Sequence, residues 1–165
     1  MKILNRDELK AVIAHEMSHI KNRDILIQTV TAMIAGIIGF IAATARWAAI
    51  FGGFSDNDGQ SNILELILLG IITPIVATLL QLAISRSREY LADESAARLL
   101  HNGKSLADAL DKLDNAGKEI PMTLGSPTTA SLFITNPFKM GGILNLLSTH
   151  PPIEVRIKRL RAMRF

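Results

Sequence analysis

The sequence contains no cysteine in 165 residues. That excludes a disulfide scaffold, a thiolate metal site and a cysteine nucleophile. Charge is scarce as well: Asp, Glu, Lys and Arg make up 20% of the chain, against about 25% in an ordinary soluble domain. There is no large excess of either sign. A net charge of +3, with a small basic cluster at 156–164, is a poor basis for a nucleic-acid partner. Internal repeats and low-complexity tracts are missing, and residues 1–24 are polar and helical in pattern rather than those of a secretory signal. What the chain has in quantity is apolar side chain, 48% of all residues, with a mean hydropathy of +0.28. That is too hydrophobic for a disordered chain.

The apolar residues are concentrated in two blocks. Residues 25–45 carry no Asp, Glu, Lys or Arg. As a helix such a block reaches about 32 Å, close to the ~30 Å hydrocarbon core of a bilayer. Gly36 and Gly39 suit a membrane helix, and Arg46, Trp47, Phe51 and Phe54 read as its interfacial end, a snorkelling cation with aromatic anchors. Residues 63–84 form the second block, with one charge, Glu65, and a mid-block Pro74 that predicts a kink. Residues 52–62 are turn-rich and too short for a domain. The pair therefore predicts a transmembrane helical hairpin; two buried helices of a large soluble core are the alternative, and apolar runs this long are rare there. The expected organisation is a polar helix at 1–24, the hairpin at 25–84 and a cytoplasmic helical region at 85–165. Lys21 and Arg23 flank one end of the hairpin, Arg86 and Arg88 the other, and the linker carries Asp56 and Asp58. This distribution places both polar arms in the cytoplasm.

The arms read as helices. Asn5 and Glu8 have the spacing of a capping box, opening a helix that runs to about Lys21. Residues 86–102 are helical and stop at Gly103. Ser105 is a candidate cap for a further helix, with Leu106, Ala109, Leu110 and Leu113 on one face and Gly117 beyond its end. Residues 118–142 are broken by prolines and glycines, and residues 131–135 suit a short strand. His150-Pro151-Pro152 opens a last helix with Ile153, Ile157 and Leu160 on one face.

The chemistry is concentrated in His15-Glu16-Met17-Ser18-His19. Histidines four apart stand on one helix face, one turn apart, and can share one Zn²⁺. Glu16 lies where it can take a proton from a water at the open coordination position. With 4 histidines and 7 glutamates in the chain, chance supplies the pattern about 0.004 times. A helix with two solvent-facing histidines has the same spacing, so a third ligand is needed. No third histidine follows at the short metzincin spacing. Among the carboxylates, Glu65 falls at the far membrane face, and Glu94, Glu119 and Glu154 lack supporting neighbours. Glu89 stands just after the second block, on the same side of the hairpin as the histidines, with Asp93 one turn on, able to orient a ligand histidine. A solvated acidic face is the plainer reading of Glu89 and Asp93 taken alone.

The order of motifs resembles a known family. His-Glu-Met-Ser-His at 15–19, two membrane segments, Ser-Arg-Glu-Tyr-Leu-Ala-Asp at 87–93, Leu-Phe-Ile-Thr-Asn-Pro-Phe at 132–138 and Ser-Thr-His-Pro-Pro at 148–152 with Arg156 are similar to the HtpX family of membrane-bound zinc metalloproteases, heat-shock relatives of the CAAX-prenyl endopeptidases. The resemblance implies a mainly α, zincin-like protease core holding one Zn²⁺ through His15, His19 and Glu89. Glu16 is then the general base, His150 a stabiliser of the tetrahedral intermediate or else a structural helix-end histidine, and Asp93 and Arg156 a supporting pair. Asp24 matches an acidic position with a structural role. The implied substrates are misfolded or damaged membrane proteins, cut at the cytoplasmic face of the cell (inner) membrane. The partners are then unfolded protein and the lipid bilayer, not nucleic acid; the basic residues 156–164 are expected to meet anionic lipid or acidic groups of their own fold. The family also begins with further membrane helices and an edge strand that pairs with substrate, whereas this sequence starts about a dozen residues before His15, as a fragment or shortened relative would. The alternatives are a non-catalytic zinc-binding membrane module or inactive protease fragment, and a membrane scaffold with a coincidental motif.

Overall fold

The computed structural model describes residues 3–51, 59–119 and 150–165. The described residues form five helices: α1 (Arg6–Lys21), α2 (Asp24–Phe51), α3 (Gly59–Leu100), α4 (Lys104–Glu119) and α5 (Ile153–Ala162). The chain divides into two compact units, Met1–Ile25 with Ser85–Phe165, and Leu26–Ile84. The strand expected at 131–135 and most of the linker at 52–62 lie outside the described residues. The linker's last residues are helical, since α3 starts at Gly59.

α1 begins as its spacing predicts. The Asn5 side chain accepts from the Asp7 and Glu8 amides at 3.0 and 2.8 Å, and Glu8 accepts from the Asn5 amide at 2.9 Å. This reciprocal cap satisfies donors that a helix start leaves open. Glu8 is also held by Lys112 of α4 at 2.8 Å. Asn22 caps the helix C-terminus, and Arg23 takes a left-handed φ of 53° before α2 begins.

Alanines make the first unit compact. Ala11 and Ala14 of α1, Ala96 and Ala97 of α3, Leu106, Ala107 and Leu110 of α4, and Leu160 of α5 form one buried cluster, flanked by Val12, Ile153, Ile157 and Met163. Small side chains let helix axes approach closely, and the few leucines fill the remaining volume. Gly103 belongs to this packing. A Cβ there would lie 2.4 Å from the Leu160 carbonyl oxygen. It therefore does more than stop a helix: it lets the start of α4 meet α5. Two expectations for α4 change. Its first turn is capped by Asn102, whose Oδ1 accepts from the Ser105 amide at 3.2 Å, rather than by Ser105, and Gly117 lies inside the helix. His101, with φ 49°, ends α3.

The second unit contains the apolar blocks. α2 and α3 each include a segment long and apolar enough to cross a membrane, within Asp24–Ala48 and Leu68–Leu100. Their large side chains face outward: Phe40 is 69% exposed, Phe51 72% and Leu80 57%. Buried helices of a soluble core would hide these groups, whereas the described residues leave them uncovered. Two helix limits differ from expectation. α2 continues through Arg46 and Trp47 to Phe51, and α3 runs unbroken from the second block through residues 85–100, without a new start at Arg86.

Pro74 explains a contact that the sequence reading of Arg46 did not contain. Proline has no amide hydrogen, so the carbonyl four residues earlier, on Gly70, loses its helical partner. Arg46 Nη1 of α2 donates to that Gly70 oxygen at 3.4 Å. The absence of a side chain at Gly70 admits the arginine, because a Cβ there would lie 3.0 Å from Arg46 Cβ. Arg46 is thus used within the helix pair as well as at its end.

Candidate metal centre

α1 presents His15 and His19 on one face, their Nε2 atoms 3.1 Å apart. α3 brings Glu89 to the same point: Oε2 is 3.8 Å from His15 Nε2, and Oε1 is 3.6 Å from His19 Nε2. One ligand atom from each of the three residues falls within 4.8 Å of the others. In a tetrahedral zinc site with bonds of about 2.0–2.1 Å the donor atoms stand about 3.3–3.4 Å apart. The observed separations bracket that value.

The hydrogen bonding around the histidines sets their chemistry. His19 Nδ1 lies 2.6 Å from Asp24 Oδ2, and His15 Nδ1 lies 3.0 Å from Asp93 Oδ1. A carboxylate accepts, so with the proton on Nδ1 of His19 held by Asp24 the ring offers its Nε2 lone pair, and Asp93 stands at charge-pair distance behind His15. Two lone pairs then face each other at 3.1 Å beside the Glu89 carboxylate. Glu89 Oε2 itself is buried without a well-aligned hydrogen-bond donor. Lone pairs that converge on one point repel one another, and a cation at their centre removes that repulsion. His15, His19 and Glu89 therefore fit a divalent metal, and the nitrogen-rich donor set suits zinc.

Arginines neutralise the carboxylates behind the ligands. Arg156 of α5, 1% exposed, donates to Asp93 from Nε at 2.8 Å and from Nη2 at 2.7 Å, and its Nη1 lies 3.2 Å from Glu89 Oε2. Burial by itself pushes the Asp93 carboxyl up, but the hydrogen bonds from Arg156 and His15 outweigh it and hold the group below its usual value. Glu89 follows the same pattern. Burial raises it, and the hydrogen bond from His150 with the charge of Arg156 brings it below the ordinary carboxylate range. His150, just ahead of α5, places Nδ1 3.2 Å from Glu89 Oε2. Asp93 and Glu89 both lie beyond Arg86, where charge resumes on α3.

The structure thus brings together His15, His19, Glu89, Asp93, His150 and Arg156. Glu16 is exposed on α1, next to His15. Sequence reasoning placed Asp24 after the zinc helix without a partner, and counted Arg88 only as a flanking charge. Both belong to the centre. Arg88 Nε donates to Asp24 Oδ1 at 2.6 Å, its Nη2 also pairs with Asp24, and Nη2 donates to the Asn22 carbonyl at 2.9 Å. Two further arginines of α5 are met by their own fold. Arg159 stacks over the Tyr90 ring at 4.0 Å, and Arg161 pairs with Asp108 at 3.1 Å.

Comparison with known proteins gives the same frame. The chain is 52% identical over 165 residues to a protein named protease HtpX homolog from Syntrophobacter fumaroxidans, covering 98% of this chain and 58% of that protein. It is 56% identical over 162 residues to a protease HtpX homolog from Thermococcus kodakarensis, covering 98% and 56%. A Pyrococcus furiosus protein of the same name is 53% identical over 161 residues. The chain spans a little over half the length of these relatives. No solved structure matches it significantly. The model of peptidase family M48 matches residues 1–164; with the histidine-histidine-glutamate cluster inside that span, the chain belongs to peptidase family M48.

Proposed function

We propose that this chain is the core of a membrane-embedded zinc endopeptidase that hydrolyses peptide bonds of misfolded or damaged membrane proteins. The observation that carries the reading is the convergence of two Nε2 lone pairs and one buried carboxylate at a single point, 3.1–3.8 Å from one another, one residue from Glu16. His15, His19 and Glu89 would hold the metal. A zinc ion in that position supplies Lewis acidity and lowers the pKa of water toward about 7.

The remaining steps belong to side chains of this protein. Glu16 accepts the proton of the attacking water and returns it to the departing amine. Asp93 keeps the His15 proton on Nδ1, and Arg156 holds Asp93 and Glu89 in place. His150 orients Glu89 through the contact at 3.2 Å. Its second role, by family resemblance, is to donate to the oxygen of the tetrahedral intermediate. The length and hydropathy of the two apolar helices support a place in the cell membrane, and the flanking Lys21, Arg23, Arg86 and Arg88 support a centre on the cytoplasmic side. A zinc-binding module without catalysis would share the ligands, so the deciding test measures metal and turnover together. Zinc content and cleavage of an unfolded protein are compared for the wild type and Glu16→Gln. Retained zinc with cleavage reduced about 10²–10⁴-fold is expected. Retained zinc with unchanged cleavage refutes the assignment.

A further inference from the structure

We infer that Asp24 and Arg88 form a second clamp of the metal centre, positioning His19 as Asp93 and Arg156 position His15. The inference rests on the metal reading above and goes beyond it. The two halves of the centre have the same construction. His15 is backed by Asp93, and Asp93 by Arg156. His19 is backed by Asp24, and Asp24 by Arg88. In both chains of contacts the carboxylate is almost fully buried: Asp24 is 2% exposed and Asp93 4%. A buried carboxylate between an imidazole N–H and a guanidinium fork fixes the tautomer and the ring plane of the histidine.

The backbone is bent to make the second clamp. α1 ends at Lys21, and a helix continued from there would carry residue 24 away from the His19 ring. Instead Arg23 adopts φ 53°, a conformation that non-glycine residues rarely take, and Asp24 turns back onto His19. Arg88 secures the turn from the other side by donating to the Asn22 carbonyl as well as to Asp24. On α3, Arg88 and Glu89 are neighbours in sequence and therefore point about 100° apart. One reaches the α1–α2 turn and the other reaches the histidines. The same turn of α3 thus supplies a ligand and the clamp on another ligand, so displacing it perturbs the two together.

The test uses the full chain in detergent, stripped of metal. Zn²⁺ affinity is measured by competition with a chromophoric chelator, and Co²⁺ is bound to read ligand geometry from its visible spectrum. The proteins are the wild type, Asp24→Asn, and Asp24→Asn with Arg88→Met. The double variant removes the half-buried guanidinium whose charge the single variant leaves unbalanced. Metal-free unfolding is followed on each protein. Both variants are expected to bind Zn²⁺ about 10–100-fold more weakly than the wild type, with an altered Co²⁺ spectrum, and the double variant unfolds nearer to the wild type than the single one. If Asp24 serves folding alone, metal-free unfolding shifts but the folded variants bind Zn²⁺ within twofold of the wild type, and the inference is wrong. If the wild type itself binds no Zn²⁺, the metal reading fails and this inference with it.

Discussion

Replacing Arg156 by methionine tests the electrostatic design of the centre directly. Methionine fills part of the arginine stem and removes the charge. The lost groups are Nε and Nη2 on Asp93, at 2.8 and 2.7 Å, and Nη1 at 3.2 Å from Glu89. The arginine is 1% exposed, and the Asp93 and Glu89 side chains are 5% and 9% exposed. Water therefore cannot take over the solvation of the two carboxylates. Removing one partner of a buried ion pair costs about 3–5 kcal/mol, because the other charge stays behind unpaired. At about 2–4 °C of melting temperature per kcal/mol for a protein of this size, the metal-free variant should melt roughly 6–20 °C lower. Thermal unfolding by circular dichroism, with amide exchange of α4 and α5 to identify the unit that opens, measures the shift. Combining Arg156→Met with Asp93→Asn removes one stranded charge, so the double variant should recover about 1–3 kcal/mol relative to additivity. A single-variant cost under about 1 kcal/mol, or strict additivity of the two substitutions, refutes the argument that this guanidinium balances both carboxylates.

Two further outcomes follow from the same structure. Gly103→Ala places a methyl 2.4 Å from the Leu160 carbonyl oxygen; α4 and α5 must separate, at a cost of about 1–3 kcal/mol, and a melting temperature equal to wild type contradicts the packing described. Glu8 is held below its ordinary value of 4.5, first by the Lys112 hydrogen bond and then by the Asn5 amide. A carboxyl whose folded pKa is depressed adds stability above about pH 4.5 and loses it as pH falls through the lowered folded value. Lys112→Met should therefore flatten the acid limb of the stability–pH curve, and an unchanged limb measured by denaturant titration between pH 3 and 6 removes Lys112 as the cause.

Much of this was legible locally. The capping box at Asn5 and Glu8, the helical spacing of His15 and His19, and the outward-facing apolar blocks are periodic patterns over a few turns, which backbone geometry alone converts into structure. The limits of α3 were less legible. Arg86 looks like the start of an arm because charge resumes there, yet nothing at residues 84–86 breaks a helix, and the backbone continues. Ser105 and Gly117 were misplaced for a similar reason. Caps depend on which side chain reaches which amide, and Asn102 reached first.

The centre divides the same way. Sequence spacing by itself determined that two imidazoles share a helix face with a glutamate beside them, that no thiolate competes, and that two segments are apolar enough for a bilayer. It left Glu89 and Asp93 with a solvated acidic face as a fair reading. Tertiary structure decided their role, because seventy-four residues separate His15 from Glu89 and nothing in chain connectivity sets that distance. Once α1 and α3 pack through their alanines and α5 through Leu160, the carboxylates lose water and must find partners. The imidazole N–H groups of His15 and His19 and the guanidinium groups of Arg88 and Arg156 are those partners. Burial is the physical reason. In water these charges are interchangeable surface groups, whereas in the packed core each must be paired, and the pairing orients the ligands.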